Sequence, residues 1–529
     1  MKILNTTQLK ALDKATIQKE PIRSIDLMER AAVKCVNWFD DNIDDSKDIH
    51  IFCGMGNNGG DGLAIARHLY DEAFLTATYL VYFSKNMSDD FITNYQRAEQ
   101  IQLSPESIHS EDDFPEIGKN DIVIDAIFGV GLNKPVTGFT KKLIQHINNS
   151  GATIYSIDVP SGLFIDKPVV DTDAVIKAHM ILTFQMPKLA FLLPDNQEFV
   201  KDFEIINIGL NRESINQSET DYYYTINSDI TPLILKRSKF SHKGSYGHSL
   251  LIGGSFGKMG AVVLASRAAL QAGSGLVTAF IPKCGYTILQ TAVPEVMVEV
   301  DASDKLEFFN YKSKPTVIGV GIGMGTDEKT AAAFGVFLKN NVLPLVIDAD
   351  ALNIIAQNPS FLELIPRNSI LTPHPKELER LIGPWENDYD KMEKVRRFST
   401  KYHLVVVVKG AHSMIVYHKQ IFFNSTGNPS LATAGSGDVL TGIITGLLAQ
   451  KYPPVDAARI GVFLHGLTAD LLTRFINSTP ILASRIIELL PEAYEVIQLS
   501  ESESDMLEED PDDDYLDDLF FDDDFEAPF

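Results

Sequence analysis

Two α/β domains, each a three-layer sandwich of helices around a parallel sheet, are the architecture this sequence predicts, and three observations predict it. Short apolar runs alternate with helical patterns in two separate series, each run of the second ends in glycine, aspartate or a turn, and 529 residues are too many for one ordinary core. The first series spans residues 48–210 as IHIFCG, ATYLVYF, DIVIDAIFG, ATIYSIDVPSG and HMILTF. A polar stretch, NRESINQSETDYYYTINSD at 211–229, then reads as a connector or a small edge element. The second series is GHSLLIGGS, SGLVTAFIP, PTVIGVGIG, PLVIDADAL, SILTPHP and LVVVVKGAHSMIVY. Strands alternating with helices argue for parallel pairing, and the strand ends of such sheets are where ligands bind. No repeat relates the two series, so they are read as different domains, at 1–215 and 225–498, followed by an acidic disordered tail at 499–529.

Composition narrows the function classes. Apolar residues make up 45% of the chain and charged ones 22%, the profile of a soluble globular protein. The net charge of −25 is uneven: residues 501–529 hold fifteen acids and no Lys or Arg, leaving −10 for the rest. That tail carries too much like charge to fold alone and reads as a solvated terminus. The alternative is a linear docking motif built on Tyr515, Leu516, Leu519, Phe520, Phe521 and Phe525. No basic stripe supports nucleic-acid binding. The start, MKILNTTQLKALDKATI, lacks the features of a signal peptide, and no run approaches the roughly 20 apolar residues of a membrane span, so a cytoplasmic protein is expected. Cys35, Cys53 and Cys284 are too few and too scattered for a disulfide framework or a Cys-based zinc site.

Chemistry is concentrated in a few glycine-rich turns. After IHIFCG comes MGNNGGDGLAIARHLY, whose glycines lead from a strand into a helix and expose N–H groups to a diphosphate, while Asn57, Asn58 and Asp61 add polar groups. Gly54, Gly56 and Gly59 fit G-x-G-x-x-G, a weak signal alone. Two later strands also end in acid and glycine, DAIFGVG with Asp125 and DVPSGL with Asp158 and Ser161, and strand ends of one parallel sheet share a rim. The plainer reading is that these aspartates cap turns. In the second half, ATAGSGDVLTGIITG at 432–446 places Asp438 where a helix begins, directly after Gly435 and Gly437. An acid there either caps the helix or faces a group to be deprotonated beside a phosphate held on the helix N–H groups.

In order and spacing, GNNGGDG, DAIFGVG and DVPSGL resemble the NAD(P)H-hydrate epimerase domain over roughly residues 1–210. The resemblance implies a Rossmann-like fold that binds the hydrated dinucleotide through Asn57, Asn58, Gly59, Gly60 and Asp61. It implies a second contact loop of Gly129, Val130, Gly131, Leu132, Asn133, Lys134 and Pro135, and a potassium ion held by Asn58, Asp125 and Ser161. Asp158 contacts the reacting end of the substrate and is the expected acid/base group. KFSHKGSYGHSLLIGGSFGKMGAVVLASRAAL, GVGIGMGTD, TPHPKELERLIG, VVVVKGAHSMI and the turn before Asp438 together resemble the ADP-dependent NAD(P)H-hydrate dehydratases, a ribokinase-like group, over roughly residues 233–499. That resemblance implies nucleotide contacts from Lys409, Gly410, Ala411, His412, Ser413 and Gly437. It further implies a substrate site of Ala261, Gly323, His374 and Asp438.

The implied activity is repair of hydrated nicotinamide dinucleotides. R and S forms of NADHX and NADPHX are interconverted, and the S form is dehydrated to NAD(P)H with ADP, carried with Mg²⁺, giving AMP and phosphate. Small-molecule substrates are the expected partners, with no nucleic acid and no membrane; a homo-oligomer is compatible with the family, though no interface is legible. Two readings compete: a ribokinase-type vitamin or sugar kinase, which leaves the N-terminal motifs unexplained, and a non-catalytic dinucleotide sensor in the N-terminal half. His374 between prolines has a simpler reading as a turn residue, Lys409 as a solvated charge, and His465 as a satisfied interior histidine.

Overall fold

The computed structural model describes residues 1–44, 46–475 and 480–507; the greater part of the acidic segment, 508–529, lies outside the described residues. The chain forms two compact units, one of residues 1–224, 382–398 and 419–423, the other of the remainder.

The first unit opens with helices α1 (Thr6–Lys19) and α2 (Ser24–Asn42). Asn5 starts α1 with a capping box, its side chain accepting from Gln8 N while Gln8 returns a bond to Asn5 N, so two otherwise orphaned donors are satisfied. The apolar run that follows becomes β1 (Ile49–Cys53), every residue buried. Then come α3 (Asn57–Asp71), β2 (Thr76–Val81), α4 (Asp89–Gln100), β3 (Glu106–Ile108), β4 (Ile122–Ala126), α5 (Gly138–Asn149), β5 (Thr153–Ile157), β6 (Met180–Phe184) and β7 (Phe203–Ile206). The sheet order is β3-β2-β1-β4-β5-β6-β7 and every pairing is parallel. Strand order reverses between β1 and β4, which opens a crevice at their carboxyl ends. The polar connector holds a helix, Arg212–Gln217, and strand β8 (Tyr222–Thr225). Residues 382–398 join this unit through reciprocal caps, Asp195 N donating to Asp388 and Asp388 N to Asp195, each at 2.7 Å.

In the second unit the strands are β9 (His248–Ile252), β10 (Leu276–Ile281), β11 (Met297–Val300), β12 (Val317–Val320), β13 (Leu345–Ile347), β14 (Ile370–Leu371), β15 (Val405–Val408) and β16 (Met414–Tyr417); β17 (Gln420–Asn424) follows in the chain. The order β11-β10-β9-β12-β13-β14-β15 is parallel throughout, and β16 returns antiparallel to β15. The reversal here falls between β9 and β12. Helix α6 (Met259–Gln271) packs closely on α7 (Ser436–Ala449) because α7 is bare at Gly442 and Gly446: a Cβ there would lie 2.3 Å from Ala265 O and 2.6 Å from Ala269 O. The glycines of TGIITG thus seat the helix that carries Asp438. Among the described residues no helix is long and apolar enough to cross a membrane. The three cysteines are free thiols.

Candidate active sites

In the first unit, β1 hands over to α3 through Gly54, Met55 and Gly56. Two of the three fingerprint glycines are demanded by backbone packing: a Cβ on Gly54 would lie 1.9 Å from Ile127 O, and one on Gly59 1.7 Å from Gly54 O. Gly56 faces open space and caps α3 with no side-chain bond, so the helix N-terminus stays bare, as an anion site needs.

Around this turn the structure gathers the residues singled out in sequence. Asp125, near the end of β4, is fully buried; Oδ1 accepts from Ser161 Oγ at 2.5 Å, and Oδ2 from Ser156 Oγ and Ser161 N, each at 2.8 Å. Burial pushes its carboxyl up, and the Ser161 and Ser156 bonds oppose the rise. Asn58 is buried with an unpartnered Nδ2, and a Cβ on Gly129 would sit 3.3 Å from its Oδ1. Gly129 therefore abuts Asn58. Farther along that loop the chain turns to solvent: Gly131, Asn133, Lys134 and Pro135 are exposed, Val130 and Leu132 half-buried, and Lys167 Nζ holds Asn133 O at 2.9 Å.

Asp158 follows β5 at φ +61°, a left-handed conformation that aspartate tolerates better than most residues. Bonds to β6 fix it there: Asp158 N donates to Leu182 O at 2.8 Å and Thr183 Oγ1 donates to Asp158 O at 2.9 Å. Its Oδ1 meets Lys188 Nζ at 2.7 Å and accepts from Phe184 N at 3.2 Å. Lys188 was not read as a site residue in the sequence, although a lone lysine in HMILTFQMPKLAFLL is a visible signal. Two further acids feel this pair. Burial and the charges of Asp158, Asp13 and Asp90 hold Asp61 well above the carboxylate range; burial, then Asp158, raises Asp13 to about 6 against the pull of Lys188.

In the second unit, Gly435 at φ +90° caps α7 with no side-chain bond, and Asp438 lies in the first turn. Burial, helped by the Asp348 charge and opposed by Lys409, raises Asp438 to about 6, close to the pH at which a general base works. Asp348, just past β13, organises the neighbourhood. Its Oδ1 takes Lys409 Nζ and Ala349 N, both at 2.8 Å, and its Oδ2 takes Thr441 Oγ1 at 2.7 Å. A Cβ on Gly437 would lie 3.6 Å from Lys409 Nζ, so the ammonium rests against the start of α7. Lys409 is thus a paired ammonium beside Asp438. PLVIDADAL was read as a strand ending in an acid, but Asp348 was not assigned a role.

Ala261 and Gly323 come together, a Cβ on Gly323 falling 3.3 Å from that of Ala261. His374 Nδ1 accepts from Lys376 N at 3.1 Å at the start of helix Pro375–Ile382, and burial, then the charge of Lys409, lowers its pKa. Gly410 and Ala411 are exposed in the turn between β15 and β16, tied by Gly410 N to Ser413 Oγ at 3.3 Å, with His412 Nδ1 3.2 Å from Asn424 O. His465 Nε2 lies 3.1 Å from Ser436 Oγ, and burial lowers it to about 4, so it is a neutral interior imidazole bracing the turn. A groove of about 1160 Å³ in the first unit, lined by Lys2, Asp166, Tyr222 and Tyr389 among others, contains none of these site residues.

The family model for NAD(P)H-hydrate dehydratase matches residues 249–492, and that for the YjeF-related protein N-terminus matches residues 24–190. A bifunctional NAD(P)H-hydrate repair enzyme of Moorella thermoacetica is 32% identical over 513 residues, covering 93% of this chain and 96% of its own. One from Coxiella burnetii is 33% identical over 471 residues, covering 88% and 93%. Among solved structures, the ADP/ATP-dependent NAD(P)H-hydrate dehydratase of Bacillus subtilis, co-crystallised with ATP and Mg²⁺, covers 52% of this chain and 98% of its own at 26% identity and a TM-score of 0.46.

Proposed function

The chain belongs to the bifunctional NAD(P)H-hydrate repair enzymes, with an epimerase domain followed by a dehydratase domain, and from that premise we propose that Asp158 and Asp438 are the acid/base groups of its two reactions. The observation that carries this reading is their placement. Each sits where a strand or glycine turn meets a crevice rim, near one lysine engaged in an ion pair (buried Lys188, half-buried Lys409) and further acids.

In the epimerase unit, the diphosphate of NADHX or NADPHX lies on the bare start of α3, contacted by Asn57 to Asp61 and by the loop Gly129 to Pro135. Asp158 moves a proton at the C6 hydroxyl as water leaves and returns on the opposite face. A potassium ion would be held by Asn58, Asp125 and Ser161. These are oxygen donors of the kind a hard monovalent cation prefers, and the buried Asp125 is bonded to hydroxyls and N–H groups rather than to an ammonium. When bound, the ion would neutralise that charge and brace the β4 and β5 turns.

In the dehydratase unit, Asp438 takes the proton of the C6 hydroxyl as that oxygen attacks the β-phosphorus of ADP and AMP departs. Phosphate then leaves C6 with its bonding electrons while C5 loses a proton, giving NAD(P)H. The N–H groups at the start of α7, with Lys409, face the charge that develops on the transferred group. Lys409 to Ser413 and Gly437 would contact the nucleotide, whose phosphates carry Mg²⁺; Ala261, Gly323 and His374 would line the hydrated nicotinamide. ADP as donor rests on the resemblance to fused bacterial enzymes. Three free cysteines suit a reducing cytoplasm.

The test is to supply mixed R and S NADHX with K⁺, Mg²⁺ and either ADP or ATP, following NADH by its near-ultraviolet absorbance. Full conversion with ADP is expected; no conversion with either nucleotide would return the kinase reading.

A further inference from the structure

Lys188 is a costly residue to place where it is. Its side chain is 2% exposed in an apolar stretch, and taking an ammonium out of water is repaid only by close, well-aligned partners. It has four: Asp158 Oδ1 at 2.7 Å, Thr183 Oγ1 at 2.8 Å, Phe184 O at 3.1 Å and Met186 O at 3.3 Å. Three belong to the end of β6 and the turn after it. The fourth is the acid proposed to do the chemistry.

The consequence lies in how the Asp158 carboxylate is divided. Lys188 and Phe184 N claim Oδ1, while Oδ2 accepts no hydrogen bond among the described residues. A carboxylate held by one oxygen has its rotation restrained and keeps the other available to a ligand. The backbone beneath it is pinned as well, since the Thr183 hydroxyl that accepts from Lys188 also donates to Asp158 O. A buried ion pair in a core adds little net stability over a well-packed apolar pair, so bulk stability does not account for this arrangement.

Resting on the assignment of Asp158 above, we infer that Lys188 is a positioning residue of the epimerase reaction: it anchors Asp158 Oδ1 so that Oδ2 faces the hydroxyl-bearing carbon of the substrate. It acts only through Asp158. Thr183 is the second part of the same clamp.

The experiment compares Lys188→Met, Lys188→Arg, Thr183→Val and Asp158→Asn in the full chain, supplying R-NADHX with K⁺ and following the appearance of the S form directly by chromatography. Misplacing a reacting group by about 1 Å costs on the order of 100-fold. Lys188→Met is therefore expected to lower the epimerisation kcat by roughly that factor with KM changed less than about threefold, and Lys188→Arg to recover most of the loss. In an Asp158→Asn background, Lys188→Met should cost nothing further. If Lys188→Met fails to fold, Thr183→Val carries the same test with the ammonium in place and an intermediate fall in kcat. Wild-type kcat in Lys188→Met or Thr183→Val, or an equal fall in the Asp158→Asn background, would overturn the inference. Wild-type epimerisation by Asp158→Asn alone would instead remove the reading on which it rests.

Discussion

Asp158 and Asp438 occupy comparable places in the two units and are handled in opposite ways. Asp158 is bonded directly to a buried ammonium and held on a left-handed turn braced by the neighbouring strand. Asp438 has a lysine nearby, but that lysine is bonded to a third residue, Asp348, and burial is left to raise Asp438 to about 6. In the first unit the ammonium anchors the acid itself; in the second it is parked beside the acid and toward the helix start. The difference matches the chemistry proposed for each. Inversion at one carbon needs an oriented carboxylate, whereas phosphoryl transfer needs a base poised near neutral pH next to a fixed cation.

Breaking each acid should therefore give different phenotypes. The largest effect is expected for Asp438→Asn, which should lower dehydration of S-NADHX by at least about 1000-fold while ADP still binds, checked by single-turnover kinetics and calorimetry. Next is Asp158→Ala. It leaves Lys188 buried without its carboxylate and puts alanine at φ +61°, so the first unit should lose roughly 3–5 kcal/mol in denaturant unfolding, against a smaller loss for Asp158→Asn, which keeps an acceptor oxygen for the ammonium and suits the left-handed turn.

A third prediction concerns pH. Because Asp438 moves from 3.8 to about 6 on folding, the folded chain holds that proton more tightly between these values. Stability contributed by this group is present below about pH 4, falls as pH rises, and is lost above about 6. Asp438→Asn should then stabilise the second unit by about 2–3 kcal/mol at pH 8 and by nothing at pH 3.5. Wild-type dehydration should fall about tenfold per unit below pH 6. The smallest effect is expected at Asn5→Ala, which removes the α1 capping box and should cost about 1 kcal/mol without changing either activity.

How much of this was legible beforehand follows from where each signal resides. Asp125, Asp158 and Asp438 could be singled out as candidates because each stands near glycines that mark the end of a strand or the start of a helix. Both sheets were legible for the same reason, except for short strands with polar or charged residues such as ESI at β3, FEII at β7 and MVEV at β11. A lone lysine in an apolar run marks Lys188 as unusual, but its role, like that of Asp348, lies in a partner far along the chain, 30 residues away for Lys188 and 61 for Asp348. The same limit applies to residues 382–398, which belong to the first unit by tertiary contact although they interrupt the second in sequence. The three fingerprint glycines show the converse: Gly54 and Gly59 match a binding motif, yet backbone packing alone demands them.

On this proposal one chain carries two separable active sites, each centred on its own carboxylate. The most direct measurement gives Asp158→Asn a mixture of R and S NADHX with ADP, Mg²⁺ and K⁺ and follows NADH to completion. A rapid phase that stops at the S fraction is expected, followed only by the spontaneous rate of epimerisation. Full conversion at the wild-type rate would contradict the proposal.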